Sequence, residues 1–173
     1  PVVVGPERAL RKAGWRPQWA PLIQIPERSA FPRRPTAEGG RASFSALNLA
    51  LTLARRGLVD GLVTAPASKE GWRMAGIPFL DHTGFLAAEL KAKRVGMWLE
   101  GGGLRTVLVT RHIPHRAVPG SLNFRVLEEA AVLGRQGLAV LGPRGGRIGL
   151  CALNPHAGDG GLIGSEEKRL IPM

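Results

Sequence analysis

The chain has 173 residues, 44% of them apolar, with a mean hydropathy near zero and a net charge of +11. This composition favours a folded globular chain and argues against a disordered or fibrous one. No apolar run is long enough to span a bilayer and no signal-peptide pattern opens the sequence, so we expect a cytoplasmic protein without a membrane partner.

The excess of basic residues raises the question of a nucleic-acid partner. Arginine supplies 19 of the 24 basic residues, and the densest group is Arg28, Arg33 and Arg34 in a proline-rich segment. The sequence shows no recognition helix, zinc finger or aromatic stacking platform, and it contains no tyrosine. We therefore expect no nucleic-acid partner, because dispersed arginine serves an anionic small substrate or surface ion pairs equally well.

Hydrophobic periodicity predicts strands that alternate with helices. The predicted strands are residues 1–5, 61–64, 95–99, 104–110 and 148–153. The predicted helices are residues 7–13, 43–56, 69–75, 83–90 and 123–135, and a further helix starts at residue 166. This alternation indicates an α/β fold with a mostly parallel sheet and helices on both faces. The third and fourth strands are the exception, since the glycine-rich segment between them is typical of an antiparallel hairpin.

Local signals also predict helix caps and domain organisation. Ser43 or Ser45 is expected to cap the second helix, and Thr83 the fourth. The segment 26–40, rich in proline, glycine and arginine, is expected at the surface without dividing two domains. We therefore expect residues 1–173 to form a single α/β unit. Both ends of the chain look like the interior of a longer sequence, so this unit is expected to be incomplete.

Three histidines lie where open α/β folds bind ligands. His82 directly precedes a predicted helix, and His112 follows a predicted strand. His156 follows another such strand, in an Asn-Pro turn rich in glycine. If these strands were neighbours in one sheet, the three side chains would gather at the carboxyl ends of the strands. A lone histidine is more often structural, and His115 is assigned that role, but three in corresponding positions favour a site.

The remaining polar groups carry weaker signals. Lys69, at a helix start, suits either an anion or solvent. Glu166 and Glu167 place negative charge at a helix N-terminus, which is a common stabilising arrangement. Cys151, the single cysteine, excludes an internal disulfide and is expected to be a small core residue within an apolar run. The sequence has no Walker loop and no complete dinucleotide fingerprint.

From residue 40 onward the chain resembles the 4-hydroxythreonine-4-phosphate dehydrogenase family of vitamin B6 biosynthesis. The strongest match is residues 153–161, followed by Gly164, Glu166 and Glu167. Further matching blocks, in the same order as in the family, are residues 40–54, 61–69, 75–79 with the pair His82-Thr83, and 110–114.

The resemblance implies a homodimeric enzyme with a fold like that of isocitrate and isopropylmalate dehydrogenases. It implies NAD-dependent oxidation of a phosphorylated hydroxy-amino acid, 4-phosphohydroxy-L-threonine, whose β-keto acid product then loses carbon dioxide on the route to pyridoxal 5'-phosphate. By position, His82 and Thr83 correspond to substrate-binding residues. His112 and His156 correspond to two of three histidines that hold a divalent metal, where imidazole ligands suit zinc or cobalt and magnesium would need more oxygen ligands. No catalytic or nicotinamide-binding residue is assigned.

The chain departs from the family pattern around His82. The family commonly has Gly-His-Thr-Glu where this sequence has Asp81-His82-Thr83-Gly84. The resemblance also implies that the chain is the central part of a longer dehydrogenase, with the third metal histidine and the phosphate-binding residues in a later segment. Two alternatives stay open: a dehydrogenase for another phosphorylated four-carbon hydroxy acid, such as threonate or erythronate phosphate, and a non-catalytic basic module that binds anions.

Overall fold

The computed structural model describes residues 1–26, 34–142 and 146–170. Contacts within the chain divide it into two compact units, Pro1–Ala92 and Lys93–Met173. Arg28 and Arg33 of the basic group lie outside the described residues. The expectation that the chain is one incomplete unit of a longer dehydrogenase stays a prediction.

The described residues of the first unit form two short parallel strands and four helices. Strand β1 pairs with β2, with Val3 opposite Leu22 and Gly5 opposite Gln24. Helix α1 confirms the first predicted helix, and α3 and α4 confirm the third and fourth within a residue or two. The elements are β1 (Val3–Gly5), α1 (Glu7–Lys12), β2 (Leu22–Gln24), α2 (Ala37–Arg55), α3 (Lys69–Met74) and α4 (His82–Glu89).

Helix α2 begins earlier than the sequence predicted. Thr36 is its N-cap, and the Thr36 hydroxyl accepts a hydrogen bond from the backbone amide of Gly39 at 3.1 Å. The predicted cap at Ser43 or Ser45 is wrong, because both residues lie inside the helix. The last four residues of the predicted surface loop 26–40 belong to α2, and residues 27–33 of it lie outside the described part of the chain.

An aromatic core joins α2, α3 and α4. Leu47 and Leu51 of α2, Trp72 of α3 and Phe85 of α4 are buried together. Phe44 packs edge-on against the rings of both Trp72 and Phe85, with centroids 5.5 and 4.9 Å apart. Residues 44, 47 and 51 are spaced along one face of a helix, and this apolar face is the one that packs.

In the second unit, the residues that the structure describes form a hairpin and three α-helices. Strands β3 and β4 pair antiparallel, with Trp98 opposite Val107, and this confirms the predicted hairpin. Gly102 and Gly103 form its two-residue turn with φ of 57° and 81°, a conformation that favours glycine. The elements are β3 (Trp98–Gly101), β4 (Leu104–Val107), α5 (Val118–Ser121), α6 (Phe124–Leu141) and α7 (Glu166–Leu170), with short 3₁₀ segments at His115–Ala117 and Pro155–Gly161.

Helix α6 packs on the hairpin of the same unit. Asn123 caps it by accepting from the amide of Val126 at 3.1 Å, and the helix extends beyond the predicted end to Leu141. Gly134 is buried with Val107 of β4 as a neighbour, and Gly137 lies against the ring of Trp98. The absence of a side chain at these two glycines allows the helix to approach the strands closely.

Two predicted strands do not form in the described part of the chain. Residues 61–64 and 148–153 are not paired with any described strand, and the apolar Val63 is fully exposed. A strand requires a neighbour for its backbone hydrogen bonds, so an apolar run alone does not make one. Cys151 is exposed, and its predicted burial in the core is therefore wrong.

Both helices and strands are present, but the described part of the chain does not show the predicted mostly parallel sheet. Within the described residues, the strands form two separate pairs, one parallel and one antiparallel. None of the described helices is long and apolar enough to span a membrane.

Candidate functional site

His82 is the first residue of α4 and lies half-buried in the first unit. The helix is capped by Asp81, whose carboxylate accepts from the amide of Gly84 at 2.8 Å. The predicted cap at Thr83 is wrong, because Thr83 already lies in the first turn and Asp81 provides the capping oxygen. The imidazole of His82 contacts the ring of Trp72 edge-on, with centroids 5.4 Å apart.

Two hydrogen bonds in series connect Trp72 to α2 through the hydroxyl of Ser43. Its indole Nε1 donates to the hydroxyl of Ser43 at 2.9 Å, and that hydroxyl donates to the carbonyl of Gly40 at 3.0 Å. The Trp72 side chain is almost completely buried, so the indole N–H requires this acceptor. Ser43 therefore fixes the ring against which His82 packs, which is a role that the sequence analysis missed.

His82 and Ser43 line an apolar cleft of about 200 Å³. Most of its wall consists of small and aliphatic side chains from α2 and residues 61–67, and Thr64 adds a hydroxyl. A cleft with few polar groups on an apolar wall is typical of a small-molecule site, although this one is smaller than the roughly 300–1,000 Å³ usual for such sites. The cleft suits one end of a small metabolite.

Lys69 and Thr83 lie at helix starts in the same unit. Lys69 is exposed at the first position of α3, and Ser68 caps that helix by accepting from Gly71 at 3.0 Å. Thr83 is half-buried next to His82. The contact of Lys69 with an anion, and the binding of substrate by Thr83, both stay predictions.

His112 and His156 belong to the second unit and share an unusual backbone conformation. Both side chains are exposed, and φ is 52° at His112 and 51° at His156. A left-handed backbone at a residue with a Cβ costs about 1–2 kcal/mol, and such residues are concentrated at functional sites. The strand predicted before His112 ends earlier than expected, because β4 ends at Val107. Residues 148–153, the strand predicted before His156, are not among the described strands.

His156 opens a left-handed turn of five residues, 156–160. Their φ angles are 51°, 54°, 80°, 45° and 65°, and three of the five are not glycine. Backbone hydrogen bonds close the segment: Ala157 donates to the carbonyl of Asn154 at 3.1 Å, Leu162 to that of Asp159 at 3.2 Å, and Ile163 to that of Gly158 at 3.1 Å. So many consecutive left-handed residues require support from outside the turn.

The carboxylates of Glu166 and Glu167 supply that support. One oxygen of Glu167 accepts from the backbone amides of Leu153 and Asn154, at 3.0 and 2.7 Å. Its other oxygen accepts from the side-chain amide of Asn154 at 3.0 Å, and Glu166 accepts from the same amide at 2.8 Å. We call Asn154, Glu166 and Glu167 the carboxylate clamp.

The clamp also changes the acidity of both glutamates. The side-chain amide of Asn154 is the main cause that lowers the pKa of Glu166. The backbone amide of Asn154, followed by its side-chain amide, lowers the pKa of Glu167. Hydrogen bonds donated to a carboxylate favour its ionised form, so the clamp is charged near neutral pH.

Two glycines allow the clamp to close. A Cβ on Gly158 would meet the carbonyl oxygen of Gly164 and a carboxylate oxygen of Glu167, and φ at Gly158 is 80°. A Cβ on Gly164 would collide with the side chain of Asn154. From the sequence, Glu166 and Glu167 are expected only to stabilise the start of a helix. The spacing of Asn, Gly, Gly and two Glu around a histidine was the signal for this second role.

The exposed imidazoles of His112 and His156 have the donor chemistry that zinc and cobalt prefer. Within residues 1–26, 34–142 and 146–170, however, no three His, Cys, Asp or Glu side chains gather closely enough to hold a metal ion. Each imidazole is suited to a metal by its chemistry alone, and the role of His112 and His156 as ligands stays a prediction. His115, at the start of a 3₁₀ segment, is exposed, and its assignment to a structural role stays a prediction.

Comparison with known proteins gives a consistent result. The family described as "Pyridoxal phosphate biosynthetic protein PdxA" matches residues 9–173. A 4-hydroxythreonine-4-phosphate dehydrogenase of Beijerinckia indica is 41% identical over 138 residues, which cover 80% of this chain and 41% of that protein. One of Geobacter metallireducens is 39% identical over 161 residues, which cover 92% of this chain and 47% of that protein.

A solved structure agrees with these relatives. The crystal structure of 4-hydroxythreonine-4-phosphate dehydrogenase from Klebsiella pneumoniae superposes with a TM-score of 0.86 and 28% sequence identity, covering 98% of this chain and 58% of that one. The chain therefore spans less than half the length of these two curated relatives and rather more than half of the solved structure.

Proposed function

Since the chain belongs to the family of the pyridoxal phosphate biosynthetic protein PdxA, we propose that it forms part of a 4-hydroxythreonine-4-phosphate dehydrogenase. The proposed reaction is NAD-dependent oxidation of 4-phosphohydroxy-L-threonine, followed by loss of carbon dioxide from the β-keto acid product, in pyridoxal 5'-phosphate biosynthesis. The observation that carries this proposal is the extent of the match, which includes His82, His112 and His156.

In this proposal His82 and Thr83 bind the substrate, and His82 does so from the wall of the apolar cleft. The imidazole of His82 and the hydroxyl of Thr83 donate or accept hydrogen bonds to substrate oxygens. The edge-on contact with Trp72 limits rotation of the His82 ring. The aliphatic wall of the cleft excludes water from one side of the bound molecule.

His112 and His156 are the proposed ligands of a divalent metal, zinc or cobalt by donor chemistry, with magnesium less well suited to imidazole. A metal bound there would polarise the substrate C–O bond during oxidation and stabilise the negative charge left by decarboxylation. By analogy with the family, the complete protein is proposed to be a cytoplasmic homodimer with an isocitrate dehydrogenase-like fold.

The activity is tested by following NADH formation in the complete protein that carries these residues. We expect turnover of 4-phosphohydroxy-L-threonine, and a decrease in kcat/KM of about 10–100-fold in His82→Ala, the effect of losing a hydrogen bond to a charged substrate. His115→Ala is the matched control and should keep the parent rate. If the parent forms no NADH with this substrate, the proposed reaction is wrong.

The proposed metal site is tested by titrating the protein with zinc alone and measuring its affinity. We expect the affinity to fall in His156→Ala and in His112→Ala, while His115→Ala keeps the parent value. An unchanged affinity in His156→Ala would remove that residue from the proposed metal site.

The altered flanks of His82 favour one second candidate, a dehydrogenase for another phosphorylated four-carbon hydroxy acid such as threonate or erythronate phosphate. The negative charge at this helix start is on Asp81, and position 84 has no side chain. The double variant Asp81→Gly, Gly84→Glu restores the common family pattern. If the second candidate is correct, the parent prefers threonate or erythronate phosphate, and this variant shifts the ratio of kcat/KM toward 4-phosphohydroxy-L-threonine.

A further inference from the structure

The left-handed turn 156–160 contains a proposed metal ligand but has little packing of its own. His156, Ala157 and Asp159 are exposed, and within the turn only Gly158 is buried. Backbone hydrogen bonds join the turn to the residues beside it, from Ala157 to Asn154, from Leu162 to Asp159 and from Ile163 to Gly158. The conformation of His156 therefore depends on how the two ends of this segment are held.

The carboxylate clamp holds both ends at once. On the N-terminal side, Glu167 binds the backbone amides of Leu153 and Asn154, directly before Pro155 and His156. On the C-terminal side, Glu166 also accepts from the amide of Ser165, and both glutamates are the first residues of α7. Asn154 donates its side-chain amide to Glu166 and Glu167 together. These bonds join the segment before the turn to the helix after it.

We propose that Glu167 and Asn154 are positioning residues that hold His156 in the left-handed conformation from which it binds metal. This inference rests on the proposed role of His156 as a metal ligand. The two residues do not bind the metal themselves. They act by fixing the backbone that carries the imidazole, as groups around a metal site commonly orient its ligands.

The structural part of the inference is tested without metal, by hydrogen–deuterium exchange on the full chain. In Glu167→Ala the amides of Leu153 and Asn154 lose their acceptor, and we expect peptides covering residues 150–163 to exchange faster. Glu128→Gln is the control, because it removes a negative charge from the exposed face of α6 in the same unit. Equal exchange in Glu167→Ala and in the control would overturn the inference.

A second variant guards against loss of folding in Glu167→Ala. Glu167→Gln keeps one oxygen that can accept from the two backbone amides, but its NH₂ group cannot accept from Asn154. We expect an exchange rate between that of the parent and that of Asn154→Ala. Parent-like exchange in both Glu167→Gln and Asn154→Ala would overturn the role of the clamp.

The functional part is tested by zinc titration in a double-mutant cycle with His156→Ala. We expect Glu167→Gln to weaken zinc binding by about 10–100-fold when His156 is present, the usual effect of losing a group that orients a ligand. In the His156→Ala background the same substitution should have no further effect. A full loss in both backgrounds would show that Glu167 acts independently of His156 and would overturn the inference.

The cycle also separates this inference from the proposed metal site. If His156→Ala leaves zinc affinity unchanged, the metal assignment fails, and with it the positioning role toward metal. If His156→Ala weakens binding but Glu167→Gln and Asn154→Ala do not, the metal assignment stands and the positioning role is wrong.

Discussion

His82 and His156 are held in place by opposite means. In the first unit, the ring of His82 rests against Trp72, which is buried among Phe44, Leu47 and Phe85. In the second unit, His156 is exposed on a left-handed turn whose ends are joined by charged hydrogen bonds. Packing restricts a side chain through contact area that is insensitive to pH, whereas a carboxylate clamp restricts a backbone and depends on ionisation. One protein thus uses apolar burial for one candidate residue and a polar network for another.

The largest expected effect is removal of the aromatic support in the first unit. Trp72→Ala should lower the free energy of unfolding by about 3–5 kcal/mol, because it leaves a cavity in the core and removes the contact with His82. Trp19→Ala, at a tryptophan that is 63% exposed, should change it by less than about 0.5 kcal/mol. Urea denaturation of the two variants gives the comparison. Similar losses in both would contradict a core centred on Trp72.

A smaller effect is expected where α2 approaches α3. A Cβ on Gly40 would collide with the backbone carbonyl of Gly71, so Gly40→Ala should destabilise the first unit by about 1–3 kcal/mol. Gly84→Ala should have the opposite sign, since its Cβ meets only a carboxylate oxygen of Asp81 at 3.5 Å and alanine favours a helix by about 0.5–1 kcal/mol. Thermal unfolding of both variants measures the difference. Stabilisation by Gly40→Ala would show that the helices do not approach so closely.

The hydrogen bond behind His82 has a still smaller expected effect. Ser43→Ala removes the acceptor of the Trp72 indole and should cost about 1 kcal/mol. Ser45→Ala, at an exposed serine of the same helix, should be close to neutral. Denaturant midpoints provide the measurement, and an equal effect of the two substitutions would contradict the role of Ser43.

In the second unit, one substitution should relieve steric strain in the backbone of the left-handed turn. Ala157 has φ of 54°, so Ala157→Gly removes a Cβ penalty that exceeds the entropic cost of glycine, and we expect stabilisation of roughly 0.5 kcal/mol. Ala131→Gly, in the exposed middle of α6, should instead destabilise by about 0.5–1 kcal/mol. Thermal unfolding compares the two. Destabilisation by both would show that residue 157 is not left-handed in solution.

The smallest expected effect comes from lowering the pH. Because the pKa values of Glu166 and Glu167 are lowered in the folded chain, the stabilisation from the clamp is complete above the usual glutamate pKa of about 4.3 and is lost as the pH falls through the lower folded values. Hydrogen exchange of residues 150–163 should therefore increase over that window, relative to exchange in α2. In Glu167→Gln this pH dependence should weaken, and an unchanged pH dependence would contradict the lowered pKa.

Several features could be predicted from the sequence because they depend on neighbours along the chain. The spacing of Phe44, Leu47 and Leu51 gave the packed face of α2, and the glycine pair Gly102-Gly103 gave the hairpin turn. The turn around His156 was recognisable from its proline and glycines. Periodicity, turn preference and family motifs depend on residues that lie within a few positions of the feature that they indicate.

Other features were decided only by the tertiary structure. The apolar residues 61–64 and 148–153 are not paired with a described strand, Cys151 is exposed, and Ser43 binds an indole 29 positions away instead of capping a helix. Glu167 reaches back 13 positions to Asn154. Strand pairing and hydrogen bonds of this kind require a partner brought close by folding, and no local pattern specifies which partner that is. The sequence by itself therefore determined the family and indicated three histidines as candidate site residues. The tertiary structure decided that packing holds His82 and that a carboxylate clamp holds His156.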